Sequence, residues 1–184
     1  GVKYVLSSWI DFHGIPKTKP VPMSDFEPLC LGKGPQFAVH SISFVPELTP
    51  ADSDQIMLPD LDSVYICPWD RTMAIIFADL YWEGKPYNVC PRQALKRAMQ
   101  KTQDAGYRGM CGIEPEFIAM KYGEDGKPIK AIDSDPINGI RPRRQAFGYD
   151  VEYSLDSMHF LKELIDILEE LGWNLHDVVA EGAY

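Results

Sequence analysis

The chain has 184 residues, 45% of them hydrophobic and 24% charged, with a formal net charge of −9. That length and balance suit one large or two small globular domains with a real core. The acidic charge argues against a nucleic-acid or anionic-membrane surface, both of which need a basic footprint, but leaves room for a phosphorylated ligand whose charge a metal can carry. Four scattered cysteines (Cys30, Cys67, Cys90 and Cys111) without a Cys-x-x-Cys pair point to buried thiols in a reducing compartment. There is no signal peptide and no apolar run of bilayer length, so the expected location is cytoplasmic.

In chain order, Val2 to Phe12 is rich in β-branched and aromatic residues and predicts a strand. His13-Gly14 turns it into a second, Ile15 to Val21, whose neighbourhood of Pro16, Pro20 and Pro22 suits a sheet edge. Ser24 is a candidate cap for a brief helical turn through Leu29. Gly32-Lys33-Gly34-Pro35 lacks the Gly-Lys-Ser/Thr of a phosphate loop and reads as a turn. Gln36 to Phe44 predicts a strand, Val45 to Asp62 a long acidic loop, and Ser63 to Cys67 and Met73 to Leu80 two further strands joined by Pro68-Trp69-Asp70-Arg71. From Pro91 the pattern changes. Arg92 to Ala105 predicts a helix with Leu95, Ala98, Met99 and Thr102 on one face, stopped by Gly106. Glu124-Asp125-Gly126-Lys127 reads as a hairpin turn, and Asp133 to Tyr149 as irregular. Leu155 to Leu171 predicts an amphipathic helix, with Ser154 as candidate cap and Gly172 as stop. Asn174 to Glu181 reads as a last strand. The expected division is 1–90 and 91–184. Because the chain opens on a strand without an initiator methionine and stops just after another, it reads as a piece of a longer protein.

Residues 112 to 117, Gly-Ile-Glu-Pro-Glu-Phe, pose a chemical problem. They lie in an apolar run that predicts a buried strand, and strand alternation puts Glu114 and Glu116 on one face, about 7 Å apart. Unpaired burial of two carboxylates would be costly, and each would raise the other's pKa. A divalent cation or an arginine cluster resolves that conflict; a face turned to water avoids it.

Taken in order, several segments resemble the glutamine synthetase superfamily over nearly the whole chain. They are Asp54-Gln55-Ile56-Met57-Leu58-Pro59-Asp60, Pro68-Trp69-Asp70, Asp79-Leu80-Tyr81, Gly84-Lys85-Pro86-Tyr87, Pro91-Arg92, the Gly112–Phe117 strand and Glu181-Gly182-Ala183-Tyr184. Phe37-Ala38, Leu48-Thr49-Pro50-Ala51 and Leu171-Gly172-Trp173 are similar to the branch of type III-like glutamate–ammonia ligases and glutamate–methylamine ligases. The resemblance implies an α+β chain: a β-grasp domain followed by the first part of an α/β catalytic domain. It also implies a ring of subunits, commonly a dodecamer of stacked hexamers, with active sites between neighbours. The implied activity is ATP-dependent: glutamate is phosphorylated on its side chain, and ammonia or a small amine such as methylamine attacks the γ-glutamyl phosphate. Phosphoryl transfer asks for Mg²⁺ or Mn²⁺ on oxygen ligands. By resemblance, Glu114 would serve the nucleotide-side metal, and Glu116 and Glu181 the metal facing glutamate and amine. Pro115 stiffens their spacing.

Other candidates carry open alternatives. His176 lies near the family's nucleotide contacts or is an ordinary edge histidine. Arg141-Pro142-Arg143-Arg144 could approach a phosphate or form a solvated loop. Trp69 and Trp82 read as packing or subunit-contact residues. His40 stands where most ammonia-using relatives have an aspartate that holds ammonium, so it either lines the acceptor site or satisfies a hydrogen bond in the sheet. Tyr149 aligns with a residue near the family's acceptor site or is a loop aromatic. A non-catalytic relative with an assembly or binding role is the competing reading of the whole chain.

Overall fold

The structure, a computed structural model, describes residues 1–40, 48–131 and 148–179. By its contacts the chain divides into two units, Gly1–Cys111 and Gly112–Tyr184.

The first unit is built on a six-stranded sheet with the path β2-β1-β5-β4-β3 and β6 added to β5. Strands β1 (Tyr4–Ile10) and β2 (Pro16–Pro22) form an antiparallel hairpin, with Tyr4 opposite Pro22 and Ile10 opposite Pro16. Its turn is locked by Asp11, whose Oδ1 accepts the amide N–H groups of His13 and Ile15, each at 2.9 Å. Strand β2 lies at the sheet edge, where prolines without an N–H are tolerated. A 3₁₀ turn (Met23–Asp25) leads into the short helix α1 (Phe26–Cys30). Ser24 does not cap it: the position before α1 is Asp25, and no side-chain cap bond forms. The Gly32–Gly34 turn is a packing device. A Cβ on Gly34 would stand 2.7 Å from Leu29 Cδ1 and 2.9 Å from its Cα.

Strand β3 covers only Gln36–Ala38 of the expected Gln36–Phe44 strand, whose last residues lie outside the described residues. Strand β4 runs from Asp54 to Ile66, so half of the expected loop Val45–Asp62 is strand. Its alternation explains why: Gln55 and Met57 are buried while Ile56 and Leu58 are half-buried, and the register slips between Pro59 and Val64 to absorb the acidic stretch. Strand β5 (Met73–Trp82) is central, antiparallel to β4 and parallel to β1. A two-residue turn with positive φ at Glu83 (50°) and Gly84 (74°) folds β6 (Lys85–Pro86) back onto it.

One sheet face carries the core: Trp9, Val21, Leu29, Phe37, Val39, Met57, Ala78, Leu80, Tyr87 and Cys90. Trp9 stacks on Phe37 with ring centroids 4.3 Å apart. Trp82 meets Tyr87 edge-on and donates its indole N–H to the Ser53 carbonyl, a packing role. The four cysteines are free thiols, and burial raises the pKa of Cys30 and Cys67, each with a nearby carboxylate adding to the shift.

Helix α2 (Pro91–Asp104) spans the range read from the sequence, but its sheet-facing side differs. Leu95 and Met99 are exposed, and Arg92 and Lys96 reach the sheet instead. The attraction comes from Asp60 and Asp79, described below.

The second unit contains a hairpin of β7 (Met120–Tyr122) and β8 (Pro128–Lys130), turned at Gly126 (φ 75°), and the helix α3 (Val151–Glu170). Ser154 lies inside α3 rather than capping it, and its hydroxyl donates back to the Asp150 carbonyl at 3.1 Å. The helix ends where Gly172 (φ 69°) lets its own N–H reach Glu169 O at 3.0 Å and the Trp173 N–H reach Leu168 O at 3.1 Å. Residues 173–179 form no strand, contrary to the expected strand Asn174–Glu181. No described helix is long and apolar enough to cross a membrane.

Candidate active-site residues

Residues 112–119 are assigned to no helix or strand, so the expected buried strand is absent there. Only its end is tied to regular structure, where Ala119 O accepts the Ala131 N–H at 2.8 Å beyond the hairpin. Phe117 makes an edge-on contact with Phe160 of α3, with centroids 6.0 Å apart. Ile113 is 83% exposed and Met110, just before the segment, 88%. Glu114 and Glu116 are exposed as well, so the conflict posed by buried like charges does not arise among the described residues. Neither carboxylate makes a hydrogen bond or ion pair with a described residue. As donors they suit a hard divalent cation, which favours carboxylate oxygen. They do not complete a site by themselves, since no three His, Cys, Asp or Glu side chains converge among the described residues.

The other candidates are distributed. His40 follows β3 and is half-buried. The hydrogen bond within the sheet, one of its two readings, is not made with any described residue. Tyr149 is exposed and holds a left-handed backbone (φ 65°) just before α3, a costly conformation for a residue with a side chain. His176 is exposed in the stretch after α3. Glu181 and Arg141, Arg143 and Arg144 lie outside the described residues.

The structure also assembles a charged cluster that sequence reading did not join. Asp79 of β5 points away from the core-facing Ala78 and Leu80, and Asp60 of β4 stands near it. Arg92 Nε donates to Asp79 Oδ1 at 3.1 Å, and its guanidinium also pairs with Asp60. Lys96 Nζ pairs with Asp79 and lies 3.6 Å from Asp60. Arg92 further sits 5.9 Å over the Phe77 ring. The hydrogen bond to Asp79 raises the Lys96 pKa against the opposing effect of burial. Asp60, Asp79 and Arg92 belong to the segments that carry the family resemblance. Their shared position identifies those segments as a clamp between sheet and helix.

Comparison with known proteins bears on the same residues. A sequence model described as glutamine synthetase, catalytic domain, matches residues 88–184, which include Glu114, Glu116, Tyr149, His176 and Glu181 but not His40. A glutamine synthetase of Rhizobium meliloti (strain 1021) is 31% identical over 173 residues, 94% of this chain and 37% of that protein. A glutamate–methylamine ligase of Methyloversatilis universalis is 28% identical over 184 residues, 99% of this chain and 39% of its own length. A gamma-glutamylanilide synthase of Acinetobacter sp is 31% identical over 109 residues, covering 56% of this chain and 22% of that protein. The solved structure described as a GmaS/ADP complex superposes with a TM-score of 0.74 at 23% identity, covering 98% of this chain and 39% of that one. The chain therefore spans at most about two-fifths of the length of these relatives. With more than half of its residues matched by the family's catalytic-domain model, the chain belongs to the glutamine synthetase family.

Proposed function

We propose that the protein is an ATP-dependent ligase that joins the side-chain carboxylate of glutamate to ammonia or a small amine. The γ-phosphoryl group of ATP passes to the glutamate carboxylate, giving γ-glutamyl phosphate and ADP. The amine nitrogen then attacks the acyl carbon, phosphate leaves, and the amine proton is lost to a base as the amide forms. The observation that carries this reading is the family match over residues 88–184, which contains two exposed carboxylates, unpaired among the described residues, in the Gly-Ile-Glu-Pro-Glu-Phe segment. Three relatives named for joining different amines to glutamate support a shared reaction with a variable acceptor.

In this reading Glu114 holds the cation on the nucleotide side, and Glu116 with Glu181 the cation on the glutamate side. Bound Mg²⁺ or Mn²⁺ supplies neutralisation of the charge on the transferring phosphoryl group. Pro115 limits the backbone freedom between the two carboxylates. His176 serves the nucleotide side, and His40 and Tyr149 border the acceptor. Residues 1–90 form a β-grasp domain and 91–184 the start of the catalytic domain. The β1–β2 hairpin, the parallel β1–β5 pair and the start of the family match at residue 88 support that division. The working assembly is a homo-oligomeric ring in the cytoplasm.

The test is ADP release by the intact protein supplied with ATP, Mg²⁺ and glutamate, with ammonia and methylamine in parallel. Amine-dependent ADP release is expected; ADP release that ignores glutamate, or none with either amine, would favour a non-catalytic binding or assembly role. A methylamine preference is a second reading, supported by the likeness to a glutamate–methylamine ligase. Accommodating one methyl group changes discrimination by only about 1–3 kcal/mol, so the preference should be modest. His40→Asp should shift kcat/KM toward ammonia. An unchanged ratio of the two rates would remove His40 from the acceptor site.

A further inference from the structure

Helix α2 begins with Pro91 and has neither a side-chain cap bond nor an acidic residue in its first turn, so its positive end is uncompensated. In that first turn Gln93 is only 8% exposed, and its carboxamide makes no hydrogen bond to a described residue. The side chain opens on a cavity of about 390 Å³ lined by Lys85, Pro86, Asn88, Gln93 and Arg97. Small-molecule sites run to roughly 300–1,000 Å³.

The lining has a consistent chemistry. Lys85 and Arg97 bring two positive charges, and no described carboxylate lines the cavity in a chain whose net charge is −9. Arg97 is oriented by one bond, Nη2 to the Asn88 carbonyl at 2.9 Å, which leaves the rest of its donors available. The Lys85 ammonium has no hydrogen-bond or ion-pair partner among the described residues. The adjoining cavity shares Lys85, Pro86 and Asn88 and adds Glu83, so among the described lining residues a negative group is met on that side.

We propose that Lys85, Gln93 and Arg97 form a binding site for a small oxyanion, the phosphate or carboxylate group of a metabolite. The ammonium and guanidinium attract the anion, and the Gln93 amide donates to an oxygen from a fixed, buried position. The site lies in the first unit and is independent of Glu114 and Glu116.

Isothermal titration of the intact protein at low ionic strength, with inorganic phosphate and with acetate in separate runs and sodium chloride as the blank, tests the site. Saturable binding of at least one of the two ions is expected, and the tighter one identifies the source as phosphate or carboxylate. Arg97→Gln and Lys85→Gln should each weaken it about tenfold or more, the loss of a charge-assisted hydrogen bond. Lys85 is an exposed residue, so its substitution leaves folding intact even if a change at Arg97 does not. Absence of saturable binding overturns the proposal, and so does binding that both variants retain, which would place the ion elsewhere, including at the site that releases phosphate in the ligase reaction. Because the readout is binding, loss of ligase activity does not imitate either result.

Discussion

The two units of the chain differ in where their apolar residues go. Every fully buried hydrophobic side chain among the described residues belongs to the first unit, from Val5 to Cys90, whereas none of the described residues from Gly112 onward is buried. Ile113, Phe117, Ile118 and Met120 of the second unit remain 50–83% exposed. A sheet with one face closed by α1 and the other pinned by α2 holds itself together. Among the described residues, the hairpin and the one helix, with an aromatic contact at Phe117–Phe160, bury no side chain fully. Among the described residues the first unit thus holds the buried core, while the second presents the segment to which the family resemblance assigns metal chemistry.

The largest effect should come from the core. Leu80→Ala removes a side chain only 2% exposed and should lower stability by about 2–5 kcal/mol, whereas Ile113→Ala, at 83% exposure, should change it by less than about 0.5 kcal/mol. Thermal or urea unfolding of both variants checks this. Equal losses would show that the second unit is packed in solution and would break the contrast.

A smaller effect is expected at the clamp. Asp79→Ala leaves Arg92 and Lys96 facing Asp60 alone and should cost about 1–3 kcal/mol, part of it screened because Lys96 is half-exposed. Arg92→Leu should behave comparably. A neutral result in both would reduce the cluster to a surface ion pair and leave α2 attached by other contacts.

The pH dependence sharpens the same contrast at smaller amplitude. Burial opposes ionisation of Asp11, but the Ile15 and His13 amides, with Lys17 and His13 nearby, hold its pKa below the ordinary value of 3.8. The Thr72 hydroxyl and amide lower that of Asp70 in the same direction, with burial opposing. A lowered carboxylate pKa contributes stability above the unfolded value that is lost as pH falls through the folded one, so the first unit should weaken below pH 3.8. Lys96 has the opposite sign: its raised pKa contributes stability below 10.5 that is lost as pH rises through the folded value. Asp11→Asn should flatten the acid limb of a melting-temperature profile without moving the alkaline one; an unchanged acid limb would contradict the assignment.

Local signals were legible where a residue type dictates backbone behaviour. Prolines put β2 at the edge, Pro91 and Gly106 bracketed α2, and Gly172 ended α3. What escaped was set by partners distant in sequence. Prolines and acidic residues disguised β4 as a loop, although the alternation of Gln55 and Met57 against Ile56 and Leu58 marks a strand once β3 and β5 flank it. The apolar residues of α2 suggested the wrong face because Asp60 and Asp79, which draw Arg92 and Lys96 inward, belong to two other strands. The carboxylates of Glu114 and Glu116 were legible as a pair, but their expected strand was not formed, because no described neighbour offers that segment a ladder. Gln93 carried no sequence signal, since an amide in a helix's first turn looks like surface until its burial is seen.

The most direct measurement of the central claim is a divalent-cation titration of glutamate- and amine-dependent ADP release by the intact protein and its Glu116→Ala variant. The account predicts saturable activation by Mg²⁺ or Mn²⁺ in the parent. The variant should lose turnover by about 10² or more, as expected for a lost metal ligand, with its melting temperature preserved because Glu116 is exposed. Undiminished cation-dependent turnover in Glu116→Ala would contradict it.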